Sequence, residues 1–166
     1  AGAEMGHADL PASVHEKLRA ALGRDPDGFN TNEDLFSGHG LVRFHQAMSG
    51  VAIAGGAQLM EDYQADQNSA AARTVETWAE LLGLFSYNLI PTYMPGQGLF
   101  FAGSVSRAVL GSPAQAQFLE GFSQGAGLLR EQCQKIPLWV ITDDAAGVSG
   151  SARVALKAVT GASSPS

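Results

Sequence analysis

Residues 69 to 90, SAAARTVETWAELLGLFSYNLI, constrain the fold more than any other stretch of the chain. Val75, Trp78, Ala79, Leu82, Phe85 and Leu89 recur at intervals of three and four, the spacing that brings side chains to one face of an α-helix. So long an apolar stripe has to be buried, so the spacing predicts a long helix from about Ser69 to Ile90 packed into a core. Helical spacing accounts for the Trp78, Leu82 and Phe85 stripe as core, with no need of a cofactor box. Pro91 and the Pro95-Gly96 pair are expected to stop the helix.

Two short apolar runs follow. GLFFAG predicts a buried strand over 98 to 102, and LWVIT, started by Pro137, predicts a second over 138 to 142. Helical sequence containing Phe118, Phe122, Leu128 and Leu129 lies between them, and AAGVSGSARVALKAV predicts a helix over 145 to 159. Strand, helix, strand, helix implies parallel pairing through a crossover, so the expected class is α/β, a small, mainly parallel sheet flanked by helices. Nearer the start, Pro11 opens a helix over Ala12 to Leu22 with Val14, Leu18 and Leu22 on one face and Gly23 beyond its end. DPDGFNTNED is turn chemistry, after which Leu41, Phe44, His45 and Met48 resume helical spacing. No internal repeat or linker divides the chain. Residues 1 to 160 are expected to form one domain, and GASSPS, 161 to 166, a disordered tail.

A length of 166 residues suits one domain with a real core. The net charge of −6, with Lys17, Lys135 and Lys157 as the only lysines, argues against a nucleic-acid partner or an anionic membrane surface. Cys133, the single cysteine, cannot form an internal disulfide, and no Cys/His cluster has zinc spacing. With no apolar run near the ~20 residues of a bilayer span and no signal peptide, the expected location is the cytoplasm.

The chain opens AGAEMGHADL, without an initiator Met. Glu4 and His7 form an E-x-G-H element, followed by N-E-D-L-F-S-G-H-G-L at 32 to 41, G-L-F-F-A-G-S-V at 98 to 105 and I-P-L-W-V-I-T-D-D-x-x-G-x-x-G-S-A at 136 to 152. In this order and spacing the elements resemble the C-terminal part of the bacterial glucokinase family, and the resemblance runs through nearly the whole chain. It implies an actin-like ATPase (ribonuclease H-like) second domain, truncated at its N-terminus, from a parent enzyme that phosphorylates glucose at the 6-hydroxyl. The related repressor and sugar-kinase branch shares E-x-G-H but needs a cysteine-rich zinc motif, which one cysteine cannot supply.

The resemblance implies roles for particular residues. Glu4, His7 and Glu33 are the sugar ligands, with Met5 standing where the family has the first of two glycines. Ala102, Gly103 and Ser104 abut the adenosine, with Ser104 replacing a second glycine. Carboxylate and imidazole suit a sugar, one accepting from adjacent hydroxyls and the other donating or accepting. No catalytic residue and no metal ligand is assigned to this chain: no Walker-type or D-x-G-x-T phosphate loop is present, and the family's catalytic Asp lies in its first domain. ATP and Mg²⁺ therefore belong to the full-length parent. The chain is expected to start inside a larger enzyme and to be inactive alone, with glucose and ATP as partners and a homodimer as the assembly. The alternative is a free-standing, non-catalytic sugar-binding or dimerisation module derived from a sugar kinase.

Plainer roles stand beside these. Glu33 also suits a helix N-cap or first turn. His39 and His45 read as packing residues and His15 as surface. Asp143 and Asp144 end a strand, where ligands bind in α/β proteins, yet turn formation and capping explain them more simply. Phe100 and Phe101 read as buried strand, although one could flank an adenine.

Overall fold

A computed structural model describes residues 5–125, 127–143 and 145. Among them the order is α1 (Ala12–Leu22), α2 (Asn32–Phe36), α3 (Gly38–Ser49), α4 (Gly56–Ala65), α5 (Ala70–Tyr93), β1 (Leu99–Phe101), α6 (Ser104–Leu110), α7 (Gln115–Phe122), α8 (Gly127–Cys133) and β2 (Leu138–Val140). The long helix organises everything else. Trp78, Ala79, Leu81 and Val75 of α5 are fully buried, and α1, α3, α4 and α7 all pack on it.

Helix α5 runs three residues past the expected end at Ile90, through Pro91 to Tyr93. Proline forfeits its own N–H hydrogen bond and crowds the carbonyl four residues back, but with only two helical residues beyond it the turn it weakens is the last. Side chains supply others there: the Asn88 amide donates to the Leu84 carbonyl at 2.7 Å and the Thr92 hydroxyl to the Asn88 carbonyl at 3.3 Å. Met94, in the left-handed region at φ 43°, ends the helix.

The crossing of α5 and α7 has no side chain at its centre. A Cβ on Gly83 would lie 2.0 Å from the Phe118 carbonyl oxygen, and one on Gly121 would lie 2.1 Å from that of Glu80. The glycines let the two backbones touch. Outside the crossing, Glu80 accepts hydrogen bonds from Lys17 of α1 and from Gln124.

Strands β1 and β2 pair in parallel, Leu99 with Leu138 and Phe101 with Val140, as the alternation of elements predicts. Both are shorter than the expected 98–102 and 138–142. Their burial also differs from expectation. Leu99 and Phe101 face the core, Phe101 edge-on to Phe118 at 5.3 Å, while Phe100 and Trp139 are more than half exposed and stack on each other at 6.4 Å. Alternation explains this, because a strand carries neighbouring side chains to opposite faces and only one face of this pair meets helices in the described residues. The expected helix over 145 to 159 and the tail lie outside the described residues, apart from Ala145.

Two helices lie outside the elements expected from the sequence. Helix α2 begins inside the turn-rich DPDGFNTNED segment, and α4 has an apolar face of only Leu59, Met60 and Tyr63. The single thiol, on Cys133 at the end of α8, is buried.

Candidate functional site

Helix α2 starts because its first turn is capped from within the chain. The Thr31 hydroxyl accepts from the Asp34 N–H at 3.3 Å, and the Asp34 carboxylate accepts from the Thr31 N–H at 2.9 Å, a reciprocal capping box. These bonds hold the Asp34 carboxyl below the usual carboxylate range, the Thr31 backbone bond contributing most. Glu33 lies in that first turn, where the helix dipole favours a negative charge.

Against this turn lies the segment bearing His7. Met5 to Ala8 forms a turn, closed by the Ala8 N–H on the Met5 carbonyl at 3.3 Å. It is tied to α2 by the Glu33 N–H donating to the Gly6 carbonyl and the Asn32 N–H to that of Ala8, both at 2.9 Å. Asp9 and Thr31 form an antiparallel bridge just beyond. His7 and Glu33 are thereby brought together, Nδ1 to Oε2 at 3.5 Å, both side chains mostly exposed. Glu4, the other expected sugar ligand, lies outside the described residues.

Beside Glu33 opens a cleft of about 260 Å³ lined by Met5, Gly6, Asn32, Phe36, Ser37 and Phe85. Its lining combines polar residues, Glu33 and Ser37, with an aromatic pair, Phe36 stacked on Phe85 at 5.0 Å. Residues of both kinds suit a ligand that carries hydroxyls as well as C–H groups. Asn32, Phe36, Ser37 and Phe85 are not among the site residues expected from the sequence. Phe85 belongs to the helical stripe as predicted, but it is only partly buried because it lines this cleft.

Ala102, Gly103 and Ser104 connect β1 to α6, with Gly103 at φ 100°. Glycine's freedom matters here, since the backbone must turn sharply off the strand. Ser104 and Val105 line a second cavity of about 370 Å³ with Gly38, Leu41, Gly56 and Met60. Consecutive residues at the start of α3 line one hollow each. Ser37, its N-cap, lines the first, and Gly38 lines the second, close enough to Val105 that an added Cβ would sit 3.3 Å from its methyl.

The remaining polar residues are structural. His45 is buried, Nδ1 2.9 Å from the Thr74 hydroxyl and Nε2 3.3 Å from that of Ser49. Thr74 donates its own proton to the Ala70 carbonyl and Ser49 to the His45 carbonyl, so both hydroxyls face the imidazole as acceptors. Desolvation lowers the His45 pKa, opposed by the nearby Asp62 charge. His39, expected to pack, is exposed instead, on a turn of α3 that faces away from the core, and His15 is half-buried. The Asp143 carboxylate accepts from the Ala145 N–H at 2.8 Å, the turn role anticipated for it; Asp144 lies outside the described residues. Among the described residues, no three His, Cys, Asp or Glu side chains are grouped to hold a metal ion, and no helix is long and apolar enough to cross a membrane.

A family model described as Glucokinase matches residues 1–158. The chain belongs to the glucokinase family. The glucokinase of Photorhabdus laumondii subsp. laumondii is 30% identical over 159 residues, an alignment covering 89% of this chain and 48% of that protein. For the glucokinase of Xanthomonas campestris pv. campestris the identity is 26% over 160 residues, covering 93% and 48%. A solved glucokinase from an Antarctic psychrotroph shares the fold, with a TM-score of 0.73 at 24% identity over 92% of this chain and 49% of that one. The glucokinase-family chain thus spans about half the length of the curated relatives it matches.

Proposed function

We propose that this chain supplies the sugar-facing and adenosine-facing surfaces of an ATP-dependent glucokinase that phosphorylates glucose at its 6-hydroxyl. The observation that carries the reading is the meeting of His7 and Glu33, 26 positions apart in sequence, at 3.5 Å beside a cleft lined by polar and aromatic residues. In this role the Glu33 carboxylate accepts hydrogen bonds from adjacent sugar hydroxyls, His7 donates to or accepts from a third position, and Phe36 and Phe85 pack against ring C–H groups. By the family resemblance, Glu4 of the same E-x-G-H element is a further sugar ligand.

Ala102, Gly103 and Ser104 are the adenosine-side residues, the short side chains allowing backbone to approach the ligand. Ser37 and Gly38, neighbours in the chain, line the two hollows, which supports placing sugar and nucleotide on either side of the start of α3. The proposed assembly is an actin-like ATPase domain of a cytoplasmic homodimer, with ATP and Mg²⁺ bound by the complete enzyme. Phosphoryl transfer requires phosphate positioning and a carboxylate to take the hydroxyl proton. This chain contributes neither, and its share of the mechanism is to bind and orient the acceptor sugar.

A coupled assay of ADP release tests the proposal. The complete polypeptide carrying these residues should phosphorylate glucose, and Glu33→Gln should raise KM by roughly ten- to a hundred-fold, the loss of a charge-assisted hydrogen bond worth ~1.5–3 kcal/mol. Residues 1 to 166 alone should show no turnover. Turnover by the isolated chain, or a complete enzyme indifferent to the Glu33 change, would refute the assignment.

A further inference from the structure

The two proposed sugar ligands sit on separate pieces of chain, and one side chain joins those pieces. The Asn32 amide Nδ2 donates to the Met5 carbonyl at 2.8 Å, the same oxygen that accepts from the Ala8 N–H to close the turn around His7. Packing cannot hold His7 opposite Glu33, because their side chains are 77% and 60% exposed. Hydrogen bonds must do so. The backbone bonds from positions 32 and 33 would persist with any residue there, whereas the bond to Met5 requires a side-chain donor of this length.

The other end of the amide is costly. Asn32 is 4% exposed, and its Oδ1 is buried with no hydrogen-bond partner in the structure. A desolvated, unpaired acceptor lowers stability, and an apolar side chain of similar shape would avoid that cost. An amide in this place, lining the cleft with Met5, Gly6 and Glu33, is therefore explained by the site better than by the core.

We infer that Asn32 is a positioning residue of the sugar cleft: its side-chain amide pins the Met5 carbonyl and so sets the turn that places His7 opposite Glu33. The inference rests on the hexose reading for the identity of the ligand, but the geometric claim can be tested without any ligand. In isotope-labelled residues 1 to 166, cross-relaxation between the His7 ring and the Glu33 side chain should be present and the Glu33 amide should exchange slowly. Asn32→Leu and Asn32→Ala should abolish the first and speed the second at least ten-fold, while core amides of α5 keep their protection. Glucose added to wild type should shift the His7 and Glu33 signals, and either variant should weaken that response at least ten-fold.

An intact His7–Glu33 contact in both variants would overturn the inference. So would a general loss of protection in both, which would make Asn32 a stability residue. A wild-type chain with the contact but no response to glucose would refute the hexose reading alone, leaving the exchange and contact measurements to decide the role of Asn32.

Discussion

Gly83→Ala should destabilise this chain even though it places the better helix former in the middle of a helix. The added methyl would lie 2.0 Å from the Phe118 carbonyl oxygen and 2.8 Å from the Phe122 nitrogen. Both obstacles are backbone, so neither can rotate aside. Real Cβ contacts do not fall below 3.0 Å, so α5 and α7 must part by about 1 Å, a gap that forfeits a quarter to a half of each dispersion contact across it. Phe118 and Phe122, both buried against α5, lose most. Overpacking of this kind costs ~1–3 kcal/mol or more, with the widened interface added and ~1 kcal/mol of helix propensity returned. The net expectation is a loss of about 2–3 kcal/mol, or roughly 4–12 °C in Tm for a domain of this size. Thermal and urea unfolding followed by far-ultraviolet circular dichroism measure it. Gly56→Ala is the control: nothing lies within 4 Å of the added methyl, and the change should stabilise by about 0.4–1 kcal/mol through the unfolded chain. If Gly83→Ala were as stable as wild type, the reasoning from backbone contact would be refuted.

Two further outcomes follow from the buried polar groups. Because desolvation lowers the His45 pKa in the folded chain, the unfolded chain binds more protons as pH falls below 6.5, and stability should be full above that value and decline through the window beneath it; Gln at position 45 should flatten the difference in urea midpoints measured on either side. Trp78→Phe removes the donor that meets the Leu35 carbonyl at 2.8 Å, and leaving that buried oxygen unpaired should cost about 1–3 kcal/mol, visible as a lower urea midpoint with an unchanged m-value.

Where the sequence carried strong periodicity, it specified structure closely. The Ala12–Leu22 helix matches residue for residue, and the long helix differs by one residue at its start and by Pro91 to Tyr93 at its end. Helix α4 escaped because three buried residues in ten make no distinctive stripe, and α2 because its five residues begin inside turn-forming sequence. A capping pattern was nonetheless written there as Thr31 and Asp34. For the strands, place and partner were legible but extent and facing were not, since Phe100 and Trp139 look core-like by type and only the placement of neighbouring helices leaves them outside. At the candidate site, His7 and Glu33 came from motif order. The cleft beside them joins Asn32 and Ser37, close neighbours of Glu33, to Phe85, hidden within a helical stripe some fifty residues on, and their meeting is a property of the folded chain.

The buried thiol at the end of α8 makes the chain its own reporter. Burial pushes the Cys133 pKa up, so that little reactive thiolate is present and a reagent must wait for the surrounding structure to open. There is one cysteine in the sequence, and every labelling event therefore has the same origin. Alkylation followed by intact mass gives the opening free energy of the segment leading into β2 directly, without a mutation or an attached probe. Compared with global unfolding, that number separates fraying of the sheet from loss of the helical core.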